Sequence, residues 1–212
     1  MPQQEQAIHR MQPNGAKSRR LIVISGMPGT QPSALSEHIQ NGQEGRFNEV
    51  DLLDTAARLL GKTSGDISLY GSDIYEVEGR YSSDQLGRDT QAKPTILLDM
   101  ARPIYKFYGV ADMVHAVVRL EPKHVVGLYA KDPSDLISWA GNYPSKSTVD
   151  IIAAQQDVMR MTLRAAADIS HAGLTEIFLR SNTRGIPTPY DMSRVRTIVN
   201  SYFPPPETIP QR

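Results

Sequence analysis

"LIVISGMPGTQPSAL", residues 21–35, sets the reading of the whole chain. Leu21 to Ile24 is an apolar run closed by Ser25 and Gly26, the pattern of a strand buried on both faces of a parallel sheet. Pro32 suits the first turn of a helix, where a missing N–H has no intrahelical partner to lose. A strand, a glycine-bearing turn and a helix frame a phosphate-binding loop, whose pattern is Gly, four residues, Gly, Lys, then Ser or Thr. Gly26 opens that pattern, Gly29 lies inside it and Ser33 closes it at the expected spacing. The second glycine, however, is Gln31, and the lysine is Pro32.

Both replacements matter physically. Phosphoryl transfer depends on positioning and on positive groups around the migrating charge. Pro32 offers no charge, no side-chain donor and no backbone N–H. Loss of one preorganised donor already costs about 2.7–4 kcal/mol of transition-state stabilisation. Gln31 adds a Cβ where glycine would let the backbone approach a phosphate, and its place before a proline predicts an extended conformation. Gly26, Pro28 and Gly29 therefore read either as an anion nest or as a tight strand-to-helix turn, and Pro32 favours the turn. Ser33 reads as a Mg²⁺ ligand or, more simply, as a helix cap.

Outward from the loop, strands and helices alternate. "PSALSEHIQNG" (32–42) reads as a helix with Gly42 past its end, "RFNEV" (46–50) as a strand, and "DLLDTAARLLG" (51–61) as a helix ended by Gly61. Residues 62–93 have weak periodicity and read as loop, with a hairpin at "ISLYGSDIYEVEGRY" (67–81). "KPTILLDMA" (93–101) is a strand with Asp99 near its end, "VADMVHAVVRL" (110–120) a helix, "KHVVGLYAKDP" (123–133) a strand and "PSDLISWAG" (133–141) a helix. Ser147 or Thr148 caps a long helix reaching about His171 and stopped by Gly173. "TEIFLRS" (175–181) is the last strand, 183–189 a loop, "YDMSRVRTIVNSYF" (190–203) a closing helix and 204–212 a Pro-rich tail. The alternation predicts an α/β three-layer sandwich around a parallel sheet.

Composition narrows the chemistry. The 212 residues are 40% hydrophobic and 22% charged, an ordinary globular balance with room for one sizeable domain. Zero cysteines exclude disulfides, thiol catalysis and cysteine-ligated zinc, and fit a cytoplasmic protein. No apolar run suits membrane insertion, and the first residues lack the apolar core of a secretory signal. His9, His38, His115, His124 and His171 form no metal-ligand spacing. Net charge is zero, yet residues 1–20 carry Arg10, Lys17, Arg19 and Arg20 against Glu5, four positive less one negative, or +3. Residues 1–19 read as a flexible basic arm, by default solvated and alternatively a contact for a partner or for nucleic acid.

The order of these pieces resembles the archaeal-type adenylate kinases, a branch of the P-loop nucleoside monophosphate kinases. "LIVISGMPGT", "TILLDMA", "LEPKHVVGLYAKDPSDL", "AAQQDVMRMTLRAAA" and "HAGLTEIFLRSNTRG" carry the likeness in register over roughly residues 20–200, with 20–203 as the domain. The resemblance implies a P-loop NTPase-like sheet of five parallel strands in the order 2-3-1-4-5. It implies phosphoryl transfer from ATP to AMP with Mg²⁺, with Gly26, Gly29 and Ser33 in the loop, Asp99 near metal or substrate, and Arg160 facing phosphate. Asp51 falls near the monophosphate position with the wrong sign of charge. The family's lid supplies arginines, but here 138–148 reads SWAGNYPSKST, a reduced lid with Lys146 and no arginine, and arginine's bidentate fork is poorly replaced by one lysine. Arg80 and Arg88 on the monophosphate side align with no family position.

Three functions follow from these readings. The first is a catalytically inactive adenylate-kinase-like protein kept for protein binding or assembly, needing no cofactor. Arg19, Arg20, Trp139 and Tyr143 are its candidate contacts, although core packing is the favoured reading of Trp139. The second is an active nucleotide kinase with an atypical loop, using ATP and Mg²⁺ with Ser33 and Asp99 as metal-side residues. The third is a ribonucleoprotein component held through the basic arm by salt-sensitive contacts. Two phosphate-binding elements lacking their cations favour the first.

Overall fold

The computed structural model describes residues 20–27, 29–63, 86–100, 117–140, 149–181, 187–188 and 192–204. Its strands are β1 (Leu21–Gly26), β2 (Asn48–Asp51), β3 (Thr95–Met100), β4 (His124–Ala130), β5 (Gly173–Ser181) and β6 (Pro187–Thr188). Its helices are α1 (Pro32–Gln40), α2 (Leu52–Leu60), α3 (Leu86–Ala92), α4 (Pro133–Ala140), α5 (Val149–Ser170) and α6 (Met192–Tyr202). Residues 117–120 are also helical.

The sheet runs β2-β3-β1-β4-β5-β6. Its first five strands are parallel, in the expected order 2-3-1-4-5, and β6 pairs antiparallel to the end of β5. Central β1 and β4 are buried along their whole lengths, which is why "LIVISG" and "HVVGLYA" lack polar alternation. Ile22 and Ile24 face one layer with Leu35 and Ile39 of α1 and Val195 and Val199 of α6. Leu21 and Val23 face the other with Ala57 of α2 and Leu86 of α3. Farther along that side, Val125 and Tyr129 pack beneath Ile152, Met159 and Leu163 of α5. The result is the three-layer sandwich with the loop at the carboxyl end of β1.

Four local readings change. Residues 86–92 form α3 rather than loop, anchored by fully buried Leu86 and by Thr90 Oγ1 donating to Leu86 O at 2.8 Å. Pro187 and Thr188 form β6 against Ser181 and Arg180 instead of lying in a loop. His171, not Gly173, ends the long helix. His171 adopts φ 53°, its N–H reaching Asp168 O and that of Ala172 reaching Ala167 O, the paired bonds of a left-handed helix stop. Gly173 opens β5 because a Cβ there would collide with the His124 ring and lie 2.5 Å from Tyr202 Oη. The fourth change lies at Gln31, in the loop itself. The hairpin at 67–81 falls outside the described residues.

Candidate functional site

β1 carries the chain to Gly26, and Met27 N–H extends the ladder by one bond to Leu128 O at 3.3 Å. Thr30 N–H then donates back to Met27 O at 3.0 Å, with Gly29 at φ 89° just before it. That positive φ is one glycine adopts without steric cost. The Thr30 hydroxyl donates to the same Met27 carbonyl at 2.7 Å, and Thr30 is 2% exposed. A Cβ on Gly26 would overlap the Thr30 hydroxyl and lie 3.0 Å from Leu128 Cβ and 3.4 Å from Pro32 Cγ. The space beside Gly26 is thus filled by Thr30 and by the buried Pro32 ring, and both Thr30 donors turn toward a protein carbonyl.

Gln31 departs from the extended conformation expected before a proline. It sits at φ 54°, ψ 64°, left-handed, as the N-cap of α1, and its side chain makes no cap bond. Pro32 disfavours the right-handed helical region for its predecessor. The Thr30 N–H to Met27 O bond behind Gln31 and the Ala34 N–H to Gln31 O bond of 3.1 Å ahead of it hold the left-handed alternative. Ser33 therefore does not cap the helix; it is exposed one position inside it. The structurally engaged serine of α1 is Ser36, whose hydroxyl donates to Glu49 Oε2 at 2.5 Å and docks the helix on β2.

Open parallel sheets bind ligands in the crevice beyond the strand ends where the order reverses. Here that is the gap between β1 and β4. Beyond the reach of β1, the edge of Ala130 is taken by Gln156 of α5, which accepts from Ala130 N at 2.7 Å and donates to Ala130 O at 3.0 Å. Met27, 2% exposed, packs beside it with Ile152 and Met159. Gln156 was not singled out by sequence reading. The available signal was a glutamine at a core-periodic position of the buried helix face, beside the equally buried Gln155.

One row of residues crosses the sheet at this level: Asp99 of β3 beside Ser25 of β1, Ser25 beside Gly127 of β4, and Gly127 beside Glu176 of β5. The Tyr129 ring folds over Gly127, where a Cβ would lie 2.7 Å from Tyr129 Cζ. Ser25 Oγ, Tyr129 Oη and Gln155 Oε1 are buried without a hydrogen-bond partner among the described residues. Burial, reinforced by Glu176, pushes the Tyr129 hydroxyl far above its ordinary range.

Arg160 is bonded at this row's far end, to Glu176. Its Nε reaches Glu176 Oε1 at 2.6 Å and its Nη2 reaches Oε2 at 3.3 Å, while the guanidinium lies 5.0 Å over the Phe178 ring. Arg164 bonds the same carboxylate at 2.5 Å and 3.2 Å. Burial alone would raise the Glu176 pKa, but the two arginine hydrogen bonds outweigh it and hold the carboxyl below its usual value. The hydrogen bond to Glu176 in turn raises Arg160. Two cations thus share one protein anion.

The other candidates scatter. Asp51 Oδ1 accepts from Asp54 N–H at 3.2 Å, serving the start of α2. Trp139 packs against two core clusters and donates Nε1–H to Ser181 Oγ at 3.0 Å. Arg20 is exposed, with its carbonyl accepting from Thr95 N–H, and Arg88 is exposed on α3. His124 is buried, its Nε2 2.9 Å from Thr175 Oγ1, and burial holds its pKa down at about 4. Arg19, Arg80, Tyr143, Lys146 and the lid segment 141–148 lie outside the described residues. Among the described residues no three metal-binding side chains gather, and no helix is long and apolar enough to cross a membrane.

No protein-family model and no curated protein matches the sequence. Solved structures do. Shikimate kinase from Acinetobacter baumannii in complex with shikimate is similar at TM-score 0.47 and 14% identity, over 85% of this chain and 91% of its own. Shikimate kinase from Bacteroides thetaiotaomicron gives TM-score 0.45 and 11% identity, over 85% of this chain and 96% of its own. The signal recognition particle 54 kDa protein from Aeropyrum pernix K1 in complex with GDP gives 0.38 and 14%, over 90% of this chain and 47% of its own.

Proposed function

We propose that this chain is a catalytically inactive adenylate-kinase-like protein that works by binding a protein partner or building an assembly. The observation that carries the reading is the self-closed loop: the Thr30 N–H and hydroxyl both donate to Met27 O, and the Pro32 ring occupies the ground of the missing lysine. Arg160, the cation that the resemblance would aim at phosphate, is held by Glu176. Gln156 takes the backbone edge at the crevice where a ligand would seat.

Isothermal titration with ATP and Mg²⁺ tests this directly. The expected result is no saturable heat up to millimolar nucleotide, and none after Gln31→Gly with Pro32→Lys, because Thr30, Met27 and Gln156 remain in place. Micromolar binding by the wild-type protein, abolished by Gly26→Ala, refutes it.

A further inference from the structure

The outward face of α5 carries an apolar stripe. Ile151, Ala154, Val158, Met161, Ala165 and Ile169 follow one another at spacings of 3, 4, 3, 4 and 4 residues, which align them on one side of a helix. Met161 is 68% exposed, Ile169 58% and Ile151 44%. The inward face of the same helix, with Ile152, Met159, Leu163 and Ala166, is already buried on the sheet. The stripe is therefore additional to what folding requires, and it runs for about 27 Å at 1.5 Å per residue.

Its order and its flanking charges select a partner. Reversed, the stripe nearly reproduces itself. In an antiparallel pair of copies Ile151 meets Ile169, Ala154 meets Ala165, and Val158 meets Met161, each contact occurring twice about a two-fold axis. The Ala–Ala layers let the helices approach, and the larger layers fill the ends and centre. One flank carries four exposed charges, Asp150, Asp157, Arg164 and Asp168. The same register sets Asp157 of each copy against Arg164 of the other and Asp150 against Asp168, so attractive and repulsive contacts balance, whereas a parallel pair in register would set each of the four charges against its own like. Arg164, with its side chain 49% exposed, keeps solvent-facing surface while bonded to Glu176.

We infer that α5 is a self-association surface on which a second copy of this chain docks antiparallel, forming a two-fold dimer. A self-complementary patch is what an isologous interface requires, and like charges facing each other disfavour the parallel arrangement. This dimer deepens the assembly reading by naming the partner as a second copy, yet it involves no loop residue. Nucleotide binding would refute the inactive-loop proposal and leave the dimer standing.

Sedimentation equilibrium of the full chain across micromolar to hundred-micromolar concentrations reads the interface. The wild type is expected to dimerise, and M161D, altering a solvent-exposed side chain, to weaken the dimer at least tenfold with an unchanged circular dichroism spectrum. D157R is expected to weaken it, more at low salt than at high. The chain has no cysteine, so orientation can be read separately by mixing A154C with A165C under mild oxidation. The mixture should form an intermolecular disulfide, which needs Cα atoms within about 7 Å, and A154C alone should not. A wild type that stays monomeric throughout, a dimer indifferent to M161D, or A154C crosslinking to itself as readily as to A165C each overturns the inference.

Discussion

Replacing Gln31 by glycine should stabilise this protein, against the usual direction of glycine substitutions. Gln31 sits at φ 54°, ψ 64°, exposed, with no side-chain cap bond, so truncation removes no described contact. A left-handed L-residue carries strain of about 1–2 kcal/mol. Glycine relieves it but loses about 0.5–1 kcal/mol through its freer unfolded chain. The net gain is about 0.5–1 kcal/mol, or about 1–4 °C in melting temperature for a domain of this size. Gln31→Ala is the control, because it keeps the Cβ and the strain and should stay within about 0.5 kcal/mol of wild type. Thermal unfolding by circular dichroism, with urea titration for the free energy, reads all three proteins. Gln31→Gly melting at or below wild type, or Gln31→Ala gaining as much, would refute the account of a strained loop.

Thr30→Ala removes a buried hydroxyl bonded to Met27 O at 2.7 Å and should cost about 1 kcal/mol in urea unfolding. Gly173→Ala puts a methyl group against the His124 ring and 2.5 Å from Tyr202 Oη; overpacking of this kind costs about 1–3 kcal/mol, and Tyr202→Ala in the same chain should recover part of it. Burial lowers the folded His124 pKa from 6.5 to about 4, so between those values the unfolded chain holds the extra proton. His124's contribution is then complete above pH 6.5 and declines as pH falls toward 4, by about 3 kcal/mol. Urea unfolding from pH 7.5 to 4 should show that slope, and His124→Gln should flatten it.

How much of this was legible in the sequence depends on the range of the interaction. Buried parallel strands announce themselves as apolar runs, so "LIVISG" and "HVVGLYA" were readable in place, and helix punctuation by Pro32 and Gly61 was equally local. The missing loop lysine is likewise visible in the letters alone. Local rules failed where a tertiary contact outweighed a propensity. Leu86 is buried against the sheet side of α2, which turned a weakly periodic stretch into α3. His171 took the left-handed helix stop, held by its bonds to α5, and Gly173 lies instead beside the His124 ring. Gln31 was forced left-handed by bonds on both sides of it.

The site divides the same way. That Pro32 lacks a charge is a property of the residue, and no fold can change it. That Thr30 fills the space beside Gly26, that Gln156 takes the edge of Ala130, and that Glu176 holds Arg160 are decided only in three dimensions. Glutamine 156 lies 26 positions from alanine 130, and Glu176 lies 16 from Arg160. The sheet and α5 bring these partners together, and the hydrogen bonds that define the site exist only once that packing is complete.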